Sequence, residues 1–352
     1  MENKIAIQKN RGGRNKSIDF LRILCMFGIV WLHAGTFGYY SYDVKPNIWV
    51  IHFKYMLAVC VDIFAFISGW YGVKFTLNKF IRIILLSLFC GTIAFLISHY
   101  IFNCAPLDWK VFVHYCVSNW YFVGYLVLML ICPIINAGLE KFEEEKFKSL
   151  VLPLLLLCIW QFVASILSES SSIGTATGLG RAYFSRYSFM TLVNIYIVGR
   201  IFRKTNLLEK IKTWHLLLVG VISALFTTFP PLHYYTSPFC IVEAICIFEI
   251  FKRLSIPDWL GNIGIFLAPS MFSILLLHRE DNFCKAIFIP LEGKVLGSLN
   301  PFISVFIAAF VVFNVCLLTD LTRRLFLFML KRTYLSIKDG KGAKNGWNYT
   351  FK

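Results

Sequence analysis

Ten apolar segments of membrane length follow one another along the chain. Hydrophobic residues make up 58% of the 352 residues and charged residues only 15%, whereas soluble domains hold roughly a quarter charged residues. A helix needs about 20 apolar residues to cross a bilayer, and each segment reaches or approaches that length. The sequence therefore predicts an all-α, polytopic membrane protein, a bundle of about ten transmembrane helices. The predicted spans are 18–40, 48–70, 79–102, 118–137, 149–168, 182–202, 214–230, 236–254, 262–279 and 300–320.

The basic residues are unevenly distributed between the segments that connect these spans. If the N-terminus is cytoplasmic, 27 of the 35 Lys and Arg residues fall on the cytoplasmic side and seven on the outer side. The positive-inside rule favours this orientation, and an even number of spans places both termini in the cytoplasm. We attribute the net charge of +16 to a rim that faces the anionic lipid of the cell membrane, with or without an anionic substrate, and not to nucleic acid.

Three regions are predicted along the chain. Residues 1–17 are a basic cytoplasmic segment, 18–320 the transmembrane domain, and 321–352 a basic cytoplasmic tail. The first span is too long for the core of a signal peptide, so we expect it to remain as a helix. The eleven cysteines show no metal-ligand spacing, which predicts free thiols and no metal site. A bridge between Cys104 and Cys116 is the alternative.

The first span carries two ionisable residues, Arg22 and His33, eleven positions apart. At 100° and 1.5 Å per residue they share one helix face to within ~20° and lie ~16 Å apart along the axis. A cation at the membrane surface suits an anionic ligand, and an imidazole near mid-bilayer can act as a base or nucleophile near neutral pH. The alternatives are that Arg22 only obeys the positive-inside rule and that His33 is hydrogen-bonded between helices.

Two acidic residues are candidates for positioning this pair. Asp19 precedes Arg22 by three residues, so it either pairs with the guanidinium along the helix or complements the helix dipole. Asp62 lies inside the second span, where a carboxylate is seldom without a function. Its carboxylate either accepts a hydrogen bond from the ring of His33 and so orients it, or caps a network of polar groups.

An ordered set of motifs runs through the chain and resembles acyltransferase family 3, the integral-membrane O-acyltransferases. The family hallmark of Arg, ten residues and His is present in the first span, and the resemblance covers essentially the whole chain. Lys79 departs from the family pattern, in which Arg is commoner. The matching segments are SIDFLRILCMFGIVWLHAG, VDIFAFISGWYGVKF, LNKFIRIIL, NWYFVGYLVLMLICPIIN, FSILLLH and FNVCLLTDLTRRLF.

The resemblance implies that an acyl group, acetyl before any larger one, moves from cytoplasmic acyl-CoA to a hydroxyl of a cell-surface or lipid-linked glycan. The partners are then the acyl-CoA donor, the glycan acceptor and membrane lipids, with no bound cofactor, no metal and no nucleic acid. His33, Asp19 and Asp62 would be the catalytic residues. Arg22, Lys79 and Arg82 would hold the donor phosphates.

Trp120 and His278 are expected on the acceptor side, and each has an alternative interpretation. Trp120 is either a wall of the acceptor site or an interfacial anchor. His278 forms an outer cluster with Arg279, Glu280 and Asp281, which is either a sugar site or a solvated helix end. Lys79 and Arg82 lie on one helix face. They either hold the donor phosphates or are a snorkelling pair, whose charged ends extend to the membrane surface.

Two rival classes of protein share this composition. A transporter or flippase of lipid-linked saccharides would favour inverted repeats and helices interrupted at paired Gly or Pro residues, and the sequence shows neither. A membrane polymerase or glycosyltransferase would be expected to carry large outer loops with acidic pairs. The longest outer loop, about residues 280–299, is short.

Overall fold

The computed structural model describes residues 14–38, 47–142, 144–169, 187–278, 281–295 and 299–338. Over these residues the chain is helical and contains no strand. The helices are α1 (Lys16–His33, extended by a π-helical turn Ala34–Gly38), α2 (Ile48–Met56), α3 (Val59–Tyr71), α4 (Leu77–Tyr100), α5 (Trp109–Val117), α6 (Trp120–Glu140), α7 (Glu144–Glu169), α8 (Phe189–Thr205), α9 (Thr213–Thr227), α10 (Pro238–Arg253), α11 (Asp258–Leu267), α12 (Met271–His278), α13 (Asp281–Pro290, followed by a π-helical turn Leu291–Val295) and α14 (Pro301–Lys338).

Each of the ten predicted spans overlaps one or two of these helices. Among the described residues, seven helical stretches are long and apolar enough to cross a membrane, and the other three spans correspond to α8, α9 and α10, of 17, 15 and 16 residues. The prediction of an all-α, multi-pass membrane protein is confirmed. The seven stretches are Lys16–Gly38, Ile48–Tyr71, Leu77–Tyr100, Trp120–Glu140, Ser149–Leu167, Asp258–His278 and Pro301–Thr333.

Two of the predicted spans are each divided into two helices in the structure. The second span breaks at Leu57 and Ala58, between α2 and α3. The ninth breaks at the short 3₁₀ turn Ala268–Ser270, between α11 and α12. Pro269 lies in that turn, and proline lacks the N–H that a continuous helix needs.

Helix α1 is central to the bundle. It packs against α3, α10, α11, α12 and α14, and its buried residues include Leu21, Cys25, Met26 and Trp31. A helix in this position is surrounded by protein on most sides. Polar groups on α1 can therefore contact groups from several other helices.

Helices α3 and α8 approach closely because glycines stand at their contact. A Cβ atom at Gly69 would lie 2.2 Å from the carbonyl oxygen of Tyr196, and one at Gly199 would lie 2.6 Å from that of Phe66. Small residues at helix interfaces in membranes permit this backbone-to-backbone packing. The contact fixes the end of α8 beside the end of α3.

The predicted boundary between the transmembrane domain and the C-terminal tail lies at residue 320. Helix α14 continues to Lys338, so this boundary falls within a helix, and the division into 18–320 and 321–352 stays a prediction. All eleven cysteines are free thiols, including Cys104 and Cys116.

Candidate active site

A cavity of about 430 Å³ lies between α1, α3, α4, α6 and α12 and joins Arg22 to His33. Arg22 and His33 both line it, which confirms the prediction that they face one channel. Eleven residues of helix separate them by ~16 Å along the axis. Between them the wall is apolar, with Met26 and Ile29 of α1 facing Phe64 and Ile67 of α3.

The Arg22 end is organised by the first turn of α1. The side chain of Asn15 caps the helix by accepting hydrogen bonds from the backbone N–H groups of Ser17 and Ile18. Asp19 is buried and accepts from both Arg14 and Arg22. The predicted pairing of Asp19 with Arg22 is present, and Asp19 also lies in the first turn, where it complements the dipole.

Asp19 was grouped with the catalytic residues in the sequence analysis, and its position corrects that grouping. Fourteen residues of helix place it ~21 Å from His33 along the axis. Its oxygens are occupied by two guanidinium groups. Asp19 is therefore a positioning residue for Arg22.

At the other end of the cavity, His33 contacts His278 of α12. The Nδ1 atom of His33 lies 2.9 Å from the Nε2 atom of His278, and both side chains are buried. The Nδ1 atom of His278 lies within hydrogen-bonding distance of the carbonyl oxygen of Ile274. The two histidines thus form a chain of hydrogen bonds that ends on the backbone.

This chain of contacts defines the tautomers when both rings are neutral. A carbonyl oxygen only accepts, so Nδ1 of His278 carries the proton that it donates to Ile274, and Nε2 of His278 is the acceptor. Nδ1 of His33 then donates to it. The lone pair of His33 is left on Nε2, which is the form that a general base requires.

The structure does not place His278 in the predicted outer cluster. Its side chain is only 1% exposed, because it packs against His33 inside the bundle. The interpretation of His278 as part of a solvated helix end is therefore wrong. Arg279 and Glu280 lie outside the described residues, as does the side chain of Asp281, so a sugar site that includes them stays a prediction.

Asp62 does not orient His33. It is fully buried on α3 and does not line the cavity, and its side chain interacts with the thiol of Cys240. Glu243 of α10 acts on it electrostatically and is held by the hydroxyl of Thr227 at 3.3 Å. The structure therefore does not support Asp62 as a partner of His33. Its interactions with Cys240 and Glu243 leave the polar-network interpretation a prediction.

Lys79 and Arg82 are exposed in the first two turns of α4. Ile83 and Leu86, each four residues further along, line the cavity. Residues four apart lie on the same helix face, so the two cations continue the cavity-lining face of α4 beyond the cavity, on the side where Arg22 lies. A contact with donor phosphates stays a prediction.

Trp120 is part of an aromatic wall. Its ring stacks on that of Tyr235 at a centroid distance of 5.6 Å and meets the edge of Tyr187 at 5.5 Å. All three rings line the cavity, together with Tyr121. The structure places Trp120 in a wall, as the first of its two interpretations requires. Tyr187 and Tyr235 were missed, because nothing in their local sequence distinguishes them from the many other aromatic residues.

Comparison with known proteins agrees with this arrangement. The sequence profile described as an acyltransferase domain matches residues 15–321, nearly the whole chain, and includes both histidines and Arg22. No curated protein and no solved structure matches the chain. The fold and the site thus define a multi-pass membrane acyltransferase. The chain belongs to acyltransferase family 3, which supports neither rival, the transporter or the glycosyltransferase.

Proposed function

We propose that the enzyme transfers an acyl group, acetyl in the first instance, from acyl-CoA to a hydroxyl of a cell-surface or lipid-linked glycan. The observation that carries the proposal is the cavity that joins a positioned arginine to a buried histidine pair. Membership of an acyltransferase family supplies the reaction class.

The cavity matches the successive parts of such a donor. Arg22, held by Asp19, offers a guanidinium to a phosphate group, a contact that is strong because both partners are charged. The apolar wall beyond it, formed by residues such as Met26 and Phe64, accommodates an uncharged arm. The thioester would then lie beside His33.

His33 serves as the base in this proposal. Its Nε2 takes the proton of the acceptor hydroxyl, and the oxygen attacks the thioester carbonyl carbon. The C–S bond then breaks, the acyl group stays on the oxygen, and the leaving sulfur receives the proton from Nε2. His278 stabilises the transient imidazolium by accepting from its Nδ1 atom. In the alternative route, the same lone pair of His33 attacks the thioester carbonyl carbon, and His33 carries the acyl group transiently before it passes to the acceptor hydroxyl.

The aromatic wall supports a ring-shaped acceptor. Trp120, Tyr187 and Tyr235 present aromatic faces and edges to the cavity, and such surfaces pack against the apolar faces of sugar rings while their polar atoms bind hydroxyls. We place the Arg22 end of the bundle in the cytoplasm and the enzyme in the cell membrane, because of the distribution of basic residues.

Mass spectrometry of surface and lipid-linked glycans tests this function. Cells that express the wild-type chain should carry glycans heavier by one acyl group, and cells that express His33→Gln at equal abundance should not. The mass added identifies the acyl group. Unchanged glycans in cells with abundant wild-type protein would overturn the glycan acceptor, and a purified protein that binds no acyl-CoA would overturn the donor.

A further inference from the structure

Two arginines near the end of α8, Arg200 and Arg203, lie beside the segment Trp70–Gly72 that ends α3. The guanidinium carbon of Arg203 lies 5.3 Å from the centroid of the Trp70 ring. The guanidinium of Arg200 lies against Gly72, where a Cβ atom would be 2.8 Å from its Nη1 atom. From the sequence alone, both arginines counted only toward the distribution of charge between the two sides of the membrane.

Neither arginine is neutralised by a carboxylate in the described part of the chain. Other cations at the same end are paired, Arg14 and Arg22 with Asp19, and Lys252 with Glu249. By contrast, among the described residues no ion pair involves Arg200 or Arg203, and the Nε atom of Arg200 is buried without a hydrogen-bond partner. A buried N–H without an acceptor is costly, and a bound anion would supply the acceptor.

Arg203 also shares a neighbour with Arg22. The guanidinium carbon of Arg22 lies 5.9 Å from the centroid of the Tyr71 ring, and Arg203 acts electrostatically on the Tyr71 hydroxyl. The Tyr71 side chain is 49% exposed, so this group of cations borders an open surface. The glycine contact between α3 and α8, at Gly69 and Gly199, holds the two sides of the group together.

We propose that Arg200 and Arg203, together with Arg22, form a binding site for phosphate groups at the nucleotide end of the donor. This inference rests on the proposed function and deepens it. An acyl-CoA carries a diphosphate and a separate phosphate monoester, so it requires cations at more than one point. Arginine suits each point because its planar fork binds two phosphate oxygens at once, and Tyr71 offers a ring surface beside them.

The phosphate of an anionic lipid has the same chemistry, so the test has to separate the two sources. The full chain is placed in nanodiscs of phosphatidylcholine alone, and the binding of acetyl-CoA and of adenosine 3′,5′-bisphosphate is measured. Arg203→Gln and Arg200→Gln should each weaken both affinities by at least about tenfold, the loss expected for a charge-assisted contact. Arg203→Lys should lose less than Arg203→Gln.

Lys210→Gln is the matched control, because it removes one exposed positive charge shortly after α8 without touching Trp70–Gly72; its affinities should stay within about twofold of wild type. If the arginine variants bind both probes as wild type does, but respond differently to added phosphatidylglycerol, the site is a lipid site and the inference fails. A wild-type protein that binds neither probe would instead overturn the proposed donor itself. Insertion and folding of each variant are checked by its thermal transition in the same nanodiscs.

Discussion

His33 and His278 are 245 positions apart in the sequence, yet the Nδ1 atom of the first lies 2.9 Å from the Nε2 atom of the second. If His33 is the base, His33→Gln should reduce acyl transfer by about 10²–10⁴-fold, because glutamine hydrogen-bonds but does not titrate near neutral pH. His278→Gln should also reduce turnover, since it replaces the ring that accepts from Nδ1 of His33. Donor affinity should change little in either variant, because the proposed phosphate contacts lie at the Arg22 end of the cavity.

His52→Gln is a suitable control for these two variants. His52 also places Nδ1 3.0 Å from a backbone carbonyl, that of Thr228, but it does not line the cavity. It should retain activity. The measurement is transfer of labelled acetyl in membranes at matched protein abundance. Near-normal turnover by His33→Gln would contradict the catalytic role and leave His33 as a structural histidine.

Glu292 is another buried titratable residue, in the π-helical turn after α13 and outside the predicted spans. Its side chain is 6% exposed, neither oxygen has a hydrogen-bond partner, and it lies against Gly38. Burial raises the pKa of its carboxyl to about 8 from an ordinary value of 4.5. The folded protein therefore binds this proton more tightly than the unfolded chain does, and stability falls as pH rises from about 4.5 to about 8.

Glu292→Gln should remove this pH dependence, because glutamine resembles the protonated acid and does not ionise. Variant and wild type should unfold at similar temperatures near pH 5, and the variant should be the more stable of the two above pH 8. Thermal unfolding across this range in one detergent measures the difference. An equal difference between the two proteins at both ends of the range would show that Glu292 does not titrate there.

At the scale of helices, the contact of α3 with α8 determines where Arg200 and Arg203 lie. Gly69→Ala would place a Cβ atom 2.2 Å from the carbonyl oxygen of Tyr196, which is backbone and has little freedom to move aside. The helices would have to separate, so we expect a lower unfolding temperature and weaker donor binding. Overpacking of this kind typically costs about 1–3 kcal/mol.

Gly138→Ala is the matched control for the helix contact. A Cβ atom at Gly138 of α6 would have no atom within 4 Å, and alanine favours a helix by up to about 1 kcal/mol relative to glycine. This variant should be as stable as wild type or more so. If Gly69→Ala were equally well tolerated, the close approach of α3 and α8 would not be essential, and the arginines would not depend on it.

At the scale of the whole molecule, the sequence was most informative where the physical signal is local. The membrane spans follow from runs of apolar residues, and the shared face of Arg22 and His33 follows from helix geometry. The pairing of Asp19 with Arg22 is also a contact within one helix turn. Such features need no knowledge of how helices are arranged.

Contacts between distant helices could not be predicted in this way. The sequence predicted His278 in an outer cluster and gave the orientation of His33 as one of two interpretations of Asp62, because position along a span indicates depth but not which neighbour a side chain meets. The aromatic wall needs Trp120, Tyr187 and Tyr235 from three separate parts of the chain. From the sequence, Arg200 and Arg203 contributed only to the distribution of basic residues. Their placement beside the end of α3 depends on the glycine contact between α3 and α8.

The orientation of the whole bundle is open to a direct test. The group of cations at the Arg22 end includes Arg203 and Lys252, which both contact Trp70, so basic residues from α1, α8 and α10 converge on one end of the molecule. By the positive-inside rule this end should be cytoplasmic, and both termini with it. Reporter fusions at Lys352 and within residues 169–181 should accordingly report opposite compartments, the first cytoplasmic and the second external. A C-terminus outside the cell would require an odd number of spans. Residues 169–181 in the cytoplasm would instead mean that the whole bundle is inverted; the Arg22 end would then face away from cytoplasmic acyl-CoA, and the donor would have to come from the other side.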